Sequence, residues 1–367
     1  MKNICFLIGD ISHSGGTERV TTLIANQLVL NHCVHVLSLS NGATPFFAQY
    51  PTIINNRLFD EKVSMRKHYV AVIKKLRNYL LYHKIDTLVV VDSISCVFTV
   101  PACTGLRINH ICWEHFNLKV NLGSWFRDLG RWMAAKWCNK IVTLTERDKS
   151  FWDKRFDLEH TNKVVAIANP SPYELQENTP SLEHKTILCV GRLTYQKGFD
   201  LLIPSWSKVA HKLDGWKIII VGTGEDEVSL KEMAVNYGVS DSIIFAGQQK
   251  NMDPFYRQAS FFCMSSRFEG LPMVLLEAIS YGLPIVSYDC DTGPSEIIQN
   301  DVNGFLVPKS DIDSLSRTIE KVANLERIEH DRFVNASKEK IKEFNLNKIY
   351  LDWCKVFGIS SDSNDGV

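Results

Sequence analysis

One arrangement repeats along this chain: a short apolar run of four to six residues, a loop of glycine and other small residues, then a stretch with helical spacing. Strand-length runs fall at Ile4–Ile8, Val34–Leu39, Thr87–Val91, Arg107–Cys112, Ile141–Leu144 and Val164–Ala168. They resume at Thr186–Val190, Lys217–Val221, Ile243–Ala246, Phe261–Met264 and Pro284–Tyr288. Strands that alternate with helices imply a mostly parallel sheet covered on both faces. Between the two groups, residues 169–185 read NPSPYELQENTPSLEHK, a proline-rich polar stretch that marks a boundary. The pattern predicts two Rossmann-like, doubly wound α/β domains, residues 1–170 and 186–340, with 171–185 as linker. A terminal helix over 341–357 is expected to pack back on the first domain, followed by a disordered tail over 358–367.

The length of 367 residues suits two ordinary domains, and a hydrophobic content of 45% suits a full core. No run approaches the ~20 apolar residues of a membrane span. The opening MKNICFLIGD reads as a strand meeting a glycine loop, not as a signal peptide. Ten cysteines without close pairs at metal spacing read as reduced core residues of a cytoplasmic protein. Net charge is zero but unevenly spread: residues 1–170 carry 21 Lys/Arg against 13 Asp/Glu. Such asymmetry hints at an anionic partner for the first half. Two segments there, Met65–Lys84 and Trp125–Lys140, read as basic amphipathic helices that could lie on an anionic membrane surface. No nucleic-acid partner is expected.

The richest stretch is Ser266–Ser287, SRFEGLPMVLLEAISYGLPIVS. Pro272 suits the first turn of a helix, and Val274, Leu275, Ala278 and Ile279 recur at helical spacing. The helix starts just after Glu269-Gly270-Leu271, so its N–H groups offer an anion site. Glu277 lies about 7.5 Å along the axis from Pro272. Two carboxylates at different depths beside an anion-binding helix end suit a central phosphate with polyols on both sides, the layout of a nucleotide-sugar.

Other candidates sit where strands end. Ser14-Gly15-Gly16-Thr17 leads into a helix and lets backbone N–H groups approach a ligand. His115 follows the Arg107–Cys112 strand, at the edge where open parallel sheets bind ligands. Arg192 and Lys197 flank the loop after Thr186–Val190 and could neutralise a diphosphate without a metal. Gly247 ends a strand against which a nucleobase could lie. Asp289-Cys290-Asp291 has the form of a cation-binding D-x-D triplet but stands alone, and reads as loop chemistry.

In this order the residues resemble the family 4 glycosyltransferases of the GT-B fold. The likeness spans nearly the whole chain and is densest from Cys189 to Val307, in VGRLTYQKGFDLLI, the E-x7-E string Glu269–Glu277, and NGFLV. DCDTGPSEII departs from the commoner Gly-Gly-x-x-Glu pattern and looks more like the bacterial exopolysaccharide and O-antigen transferases, such as those that make amylovoran. The resemblance implies two domains facing a central cleft, and retaining transfer of a hexose or N-acetylhexosamine from a UDP-sugar, with no cofactor and no metal. Gly15 and Gly16 would approach the donor phosphates, Arg192 and Lys197 grip the diphosphate, Glu277 hold the ribose, Glu269 the donor hexose, and His115 the sugar near the reacting carbon. Gly247, Gly270, Leu271 and Pro272 complete the donor contacts. His115, Arg192, Lys197 and Glu269 would form the catalytic set. The acceptor would be a saccharide on undecaprenyl diphosphate or on lipid A core, met by an enzyme peripheral to the inner face of the cytoplasmic membrane. A nucleotide-sugar epimerase of the same fold, or a non-catalytic GT-B partner subunit, is the alternative.

Overall fold

Seven parallel strands form the first sheet of the computed structural model, which describes residues 1–42 and 44–359. They are β1 (Asn3–Ile8), β2 (Cys33–Ser40), β3 (Ile54–Phe59), β4 (Thr87–Val91), β5 (Asn109–Trp113), β6 (Lys140–Thr143) and β7 (Val164–Ala166). Their order is β3-β2-β1-β4-β5-β6-β7. The helices α1 (Gly16–Leu28), α2 (Tyr69–Tyr82), α3 (Cys96–Cys103), α4 (Trp125–Trp137) and α5 (Glu146–Phe156) connect them. β1 and β4 are buried almost throughout because helices cover both faces, which is why they read as unbroken apolar runs. This sheet belongs to a unit of Met1–Pro170 together with the segment from Leu346 onward.

A second unit, Ser171–Asn345, holds six parallel strands. These are β8 (Thr186–Val190), β9 (Lys217–Val221), β10 (Ile243–Gly247), β11 (Phe261–Met264), β12 (Ile285–Asp289) and β13 (Gly304–Pro308). The order is β10-β9-β8-β11-β12-β13. Its helices are α6 (Phe199–Ser207), α7 (Glu227–Asn236), α8 (Asp253–Arg257), α9 (Met273–Ser280), α10 (Pro294–Ile297), α11 (Ile312–Ala323) and α12 (Arg327–Lys340). Both sheets reverse direction beside their first strand, β1 against β4 and β8 against β11. Ligands of open α/β sheets bind outside the carboxyl ends at such a switch point. These are two Rossmann-like domains with parallel sheets.

Residues 171–185 are bound to the second unit: Ser171 N–H donates to Phe344 O at 2.8 Å and Gln176 N–H to Ser280 O at 2.8 Å. The helical pattern of 331–357 is broken by a 3-10 turn at Ile341–Phe344. After it α13 (Leu346–Phe357) lies on the first unit, where Gln27 donates to Asn347 at 3.1 Å and Lys2 to Phe357 O at 2.8 Å. Gly358, at φ +60°, ends α13. The tail expected over 358–367 lies outside the described residues from 360 on.

Two further differences concern helix ends and faces. Pro272 is the residue before α9 rather than its first turn, with an extended ψ of 111°. The cationic face expected on Trp125–Lys140 is not a surface: Arg127 and Arg131 are buried, leaving Trp125, Trp132, Trp137 and Lys136 exposed on α4. Burial follows from the carboxylates these arginines meet, described below.

Candidate active site

In the second unit, three loops meet at the carboxyl ends of β8, β11 and β12. The loop after β8 carries Arg192 and Lys197, the loop after β11 carries Glu269, and the loop after β12 carries Thr292 and Gly293. Lys197 Nζ lies 2.7 Å from Glu269 Oε1, and both side chains are largely buried. Gln196 Nε2 donates to Phe268 O at 3.1 Å, and Arg267 N–H donates to Gln196 O at 2.8 Å. Arg267 also grips Asp200 bidentately, at 2.7 and 2.6 Å, and lies 4.0 Å from the centre of the Tyr195 ring. Thr292 Oγ1 donates to Glu269 O. The loop tips are thus fixed by neutral and charge-assisted bonds across more than 65 residues of sequence.

Glycine is required twice here. Gly198 sits at φ +67°, and a Cβ there would collide with Ser265 O. Gly293 sits at φ +99°, where a Cβ would fall 2.6 Å from Gly270 O and 2.7 Å from Pro272 Cδ. The backbone of 292–294 is therefore pressed against Gly270-Leu271-Pro272, the entrance to α9. The first N–H groups of α9 point out of that entrance. One turn inside it, Glu277 is buried and accepts a 2.6 Å hydrogen bond from Tyr256 of α8. Arg192 is exposed on its loop. Gly247, at φ +67°, ends β10 and accepts from Gly222 N–H at 2.9 Å. Asp291 of the D-x-D triplet lies 3.4 Å from Lys309.

In the first unit, His115 follows β5 and is nearly buried, its ring 4.5 Å from that of Trp113. Among the described residues, Nε2 of His115 has no hydrogen-bond partner. Burial lowers its pKa to about 4 against the pull of neighbouring Glu114, so the ring is neutral at neutral pH. Glu114 anchors the loop. Arg131 donates to it at 2.8 Å and Ser93 at 2.6 Å, while Phe116 N–H donates at 3.1 Å. Burial would raise the Glu114 pKa, but Arg131 and Arg127 outweigh it and hold the carboxyl below its usual range. Arg127 also holds Asp92, at the end of β4, through two bonds of 2.6 and 2.9 Å. Gly15 precedes α1, where the flexible Glu18 side chain turns back beside it.

Residues 14–171 match the family described as Glycosyltransferase Family 4, and residues 173–340 match Glycosyl transferases group 1. An uncharacterized glycosyltransferase of Haemophilus influenzae is 35% identical over 96% of this chain and 99% of its own. The chain belongs to the family 4 glycosyltransferases. The amylovoran biosynthesis glycosyltransferase AmsD of Erwinia amylovora is 30% identical to this transferase over 96% of its chain and 99% of AmsD. A Campylobacter jejuni enzyme is 24% identical over 97% and 98% of the two chains. It is named as an α-1,4-N-acetyl-D-galactosaminyltransferase acting on a GalNAc-containing diNAcBac-PP-undecaprenol. Among solved structures, Anabaena HepE in complex with UDP superposes with a TM-score of 0.79 over 98% of this transferase and 100% of HepE, at 16% identity. That likeness places the transferase in the GT-B fold.

The structure brings Lys197, Glu269, Gly270, Leu271, Pro272 and Glu277 together in the second unit. The sequence reading missed Tyr256, Arg267 and the Glu114–Arg131–Arg127–Asp92 network. Glu114 had a local signal, since it directly precedes His115. Tyr256 had none: it lies 21 residues from its carboxylate partner.

Proposed function

We propose that this transferase moves a hexose or N-acetylhexosamine from a UDP-sugar to a lipid-linked saccharide in the assembly of a bacterial surface polysaccharide, with retention of anomeric configuration. UDP-galactose, UDP-glucose and UDP-N-acetylhexosamine are the first donors to test. The observation that carries this reading is the Lys197–Glu269 pair, which stands at a sheet switch point beside the entrance of α9 with Glu277 one turn deeper. The AmsD name supports the polysaccharide class, the Campylobacter enzyme's name supports the lipid carrier, and the HepE complex supports uridine.

Glu269 matches the Lys197 charge. An arriving diphosphate competes for that ammonium, with exposed Arg192 and the α9 N–H groups adding positive potential. Glu269 is then released to accept hydrogen bonds from sugar hydroxyls, while Glu277, oriented by Tyr256, accepts from the ribose. Neutral His115 is the first unit's candidate for a hydrogen bond to a sugar hydroxyl. In the reaction the bond from the anomeric carbon to the diphosphate oxygen breaks, and the acceptor oxygen bonds that carbon on the same face. The acceptor proton passes to the departing diphosphate. Arg192 and Lys197 stabilise the charge that develops there.

A panel of UDP-sugars tests this. One donor should give acceptor-dependent UDP release and an α-linked product from an α-linked donor by proton NMR. Turnover should survive brief exposure to EDTA, because two cationic side chains serve the diphosphate. Inverted product, an epimerised donor, or chelator loss restored by Mn²⁺ would refute the corresponding part.

A further inference from the structure

Cys96, His110 and Cys138 come from three separate elements and converge in the buried interior of the first unit. One ligand atom from each lies within 4.8 Å of the other two, and all three residues are buried. None of them belongs to the donor machinery. Cys96 opens α3, His110 lies in β5, and Cys138 ends α4. A fourth soft donor is adjacent. Cys112 follows His110 by two positions on β5, hence on the same face.

Nε2 of His110 is 2.9 Å from Thr99 Oγ1, one turn along α3 from Cys96, and Cys138 Sγ lies against the ring, 3.7 Å from Nδ1 and 3.9 Å from Nε2. A hydroxyl holding one ring nitrogen while the other faces a metal is the usual supporting arrangement at histidine ligands. In a tetrahedral zinc site, bonds of about 2.3 Å to sulfur and 2.0 Å to nitrogen put neighbouring S and N atoms about 3.6 Å apart. The observed 3.7 Å matches that spacing. The backbone is fixed too: His110 N–H donates to Asn139 Oδ1 and Asn139 N–H to His110 O, both at 2.8 Å.

We propose that Cys96, His110 and Cys138, with Cys112 as fourth donor, bind one structural zinc ion inside the first unit. Two thiolates cancel the charge of Zn²⁺, so the bound ion adds no net charge to the interior, and each thiol releases its proton to solvent as the ion binds. With every donor enclosed, the ion enters as the chain folds and is closed to solvent afterwards.

The test is metal content of the full chain purified without chelator, by inductively coupled plasma mass spectrometry. About one zinc per chain is expected, falling below about a tenth in Cys96→Ser/Cys138→Ser. Because that variant can lose its fold as well as its ion, wild-type chain produced in cobalt-supplemented medium gives the second reading. An intense near-ultraviolet thiolate-to-cobalt band supports the site. Three results would overturn it: native-folded protein with less than about a tenth of an ion and no cobalt band, zinc retained in full by the double variant, or two thiols missing from a denaturing thiol count because a disulfide occupies the cluster.

Discussion

On the proposed function Lys197 serves twice, as the cation paired with buried Glu269 and as a ligand of the diphosphate. Lys197→Ala takes both away at once. We predict a loss of about 1–3 kcal/mol in urea unfolding, most of it recovered in Lys197→Ala/Glu269→Gln. Turnover is not recovered, and should fall at least about 10²-fold in both variants. Arg192→Ala, exposed and free of that stability cost, should lose turnover by a similar factor with unchanged unfolding. Near-wild-type turnover in either single variant would place the diphosphate elsewhere. His115 gives a pH signature. Its folded pKa of about 4 lies below the ordinary 6.5, so the native state resists a proton that the unfolded chain accepts. Stability is unaffected above pH 6.5, declines as pH falls towards 4, and by then has lost up to about 3 kcal/mol. His115→Gln should flatten that part of the stability profile. Parallel profiles for wild type and variant between pH 6.5 and 4 would show that the ring titrates normally.

At the scale of elements, α4 decides where His115 points. Arg131, fully buried, donates from α4 to Glu114 and to the carbonyls of Leu118 and Asn117, both at 3.0 Å. It thereby braces both ends of the loop after β5. Arg131→Met should destabilise the fold by up to about 3–5 kcal/mol, because buried Glu114 loses the nearer of its two arginines and keeps only Arg127 at 3.6 Å. Adding Glu114→Gln should restore part of the stability while turnover stays low, since the brace on the His115 loop is gone. Full recovery of turnover in the double variant would show that the brace is dispensable. This network also marks the limit of the sequence reading. Buried parallel strands and the loop-helix-strand around Glu269 are legible because their periodicity is local. β3, INNRLF, is an edge strand whose residues are mostly not buried, so it carries no apolar run. α3, CVFTVPAC, is apolar all round and interrupted by Pro101, so no amphipathic period shows. Arg127 and Arg131 carry the same letters as surface cations, and their partners lie 35 and 17 residues away. The cysteine–histidine cluster is scattered over 43 residues for the same reason, and topology alone assembles it.

At the scale of the whole molecule, the basic excess of residues 1–170 is less available than its count suggests. Arg127 and Arg131 are internal, Arg77 donates to the Ala102 and Thr104 carbonyls, and Lys75 donates to Leu58 O. Lys140 and Lys163 are held by carbonyls as well. What α4 does present is aromatic: exposed Trp125, Trp132 and Trp137, with Trp132 and Trp137 edge to face at 5.1 Å and Lys136 4.9 Å from the Trp137 ring centre. Indole rings beside a lysine suit the headgroup boundary of a bilayer, where the ring is half-inserted and the ammonium meets anionic lipid. Among the described residues no helix is long and apolar enough to cross a membrane. A cation near an anionic surface adds about 1 kcal/mol, whereas ring insertion is insensitive to salt. The balance therefore predicts binding to phosphatidylglycerol-containing vesicles that weakens with salt but is not abolished by it. Trp132→Ala/Trp137→Ala should reduce that binding at least about tenfold, more than Lys136→Glu, with UDP affinity unchanged in all three. Arg77→Glu is a poor probe, because it also removes the donors to two carbonyls behind α3. Co-sedimentation with anionic and neutral vesicles at low and high salt reads every term, and equal binding by wild type and the tryptophan variant would show that α4 does not face the lipid.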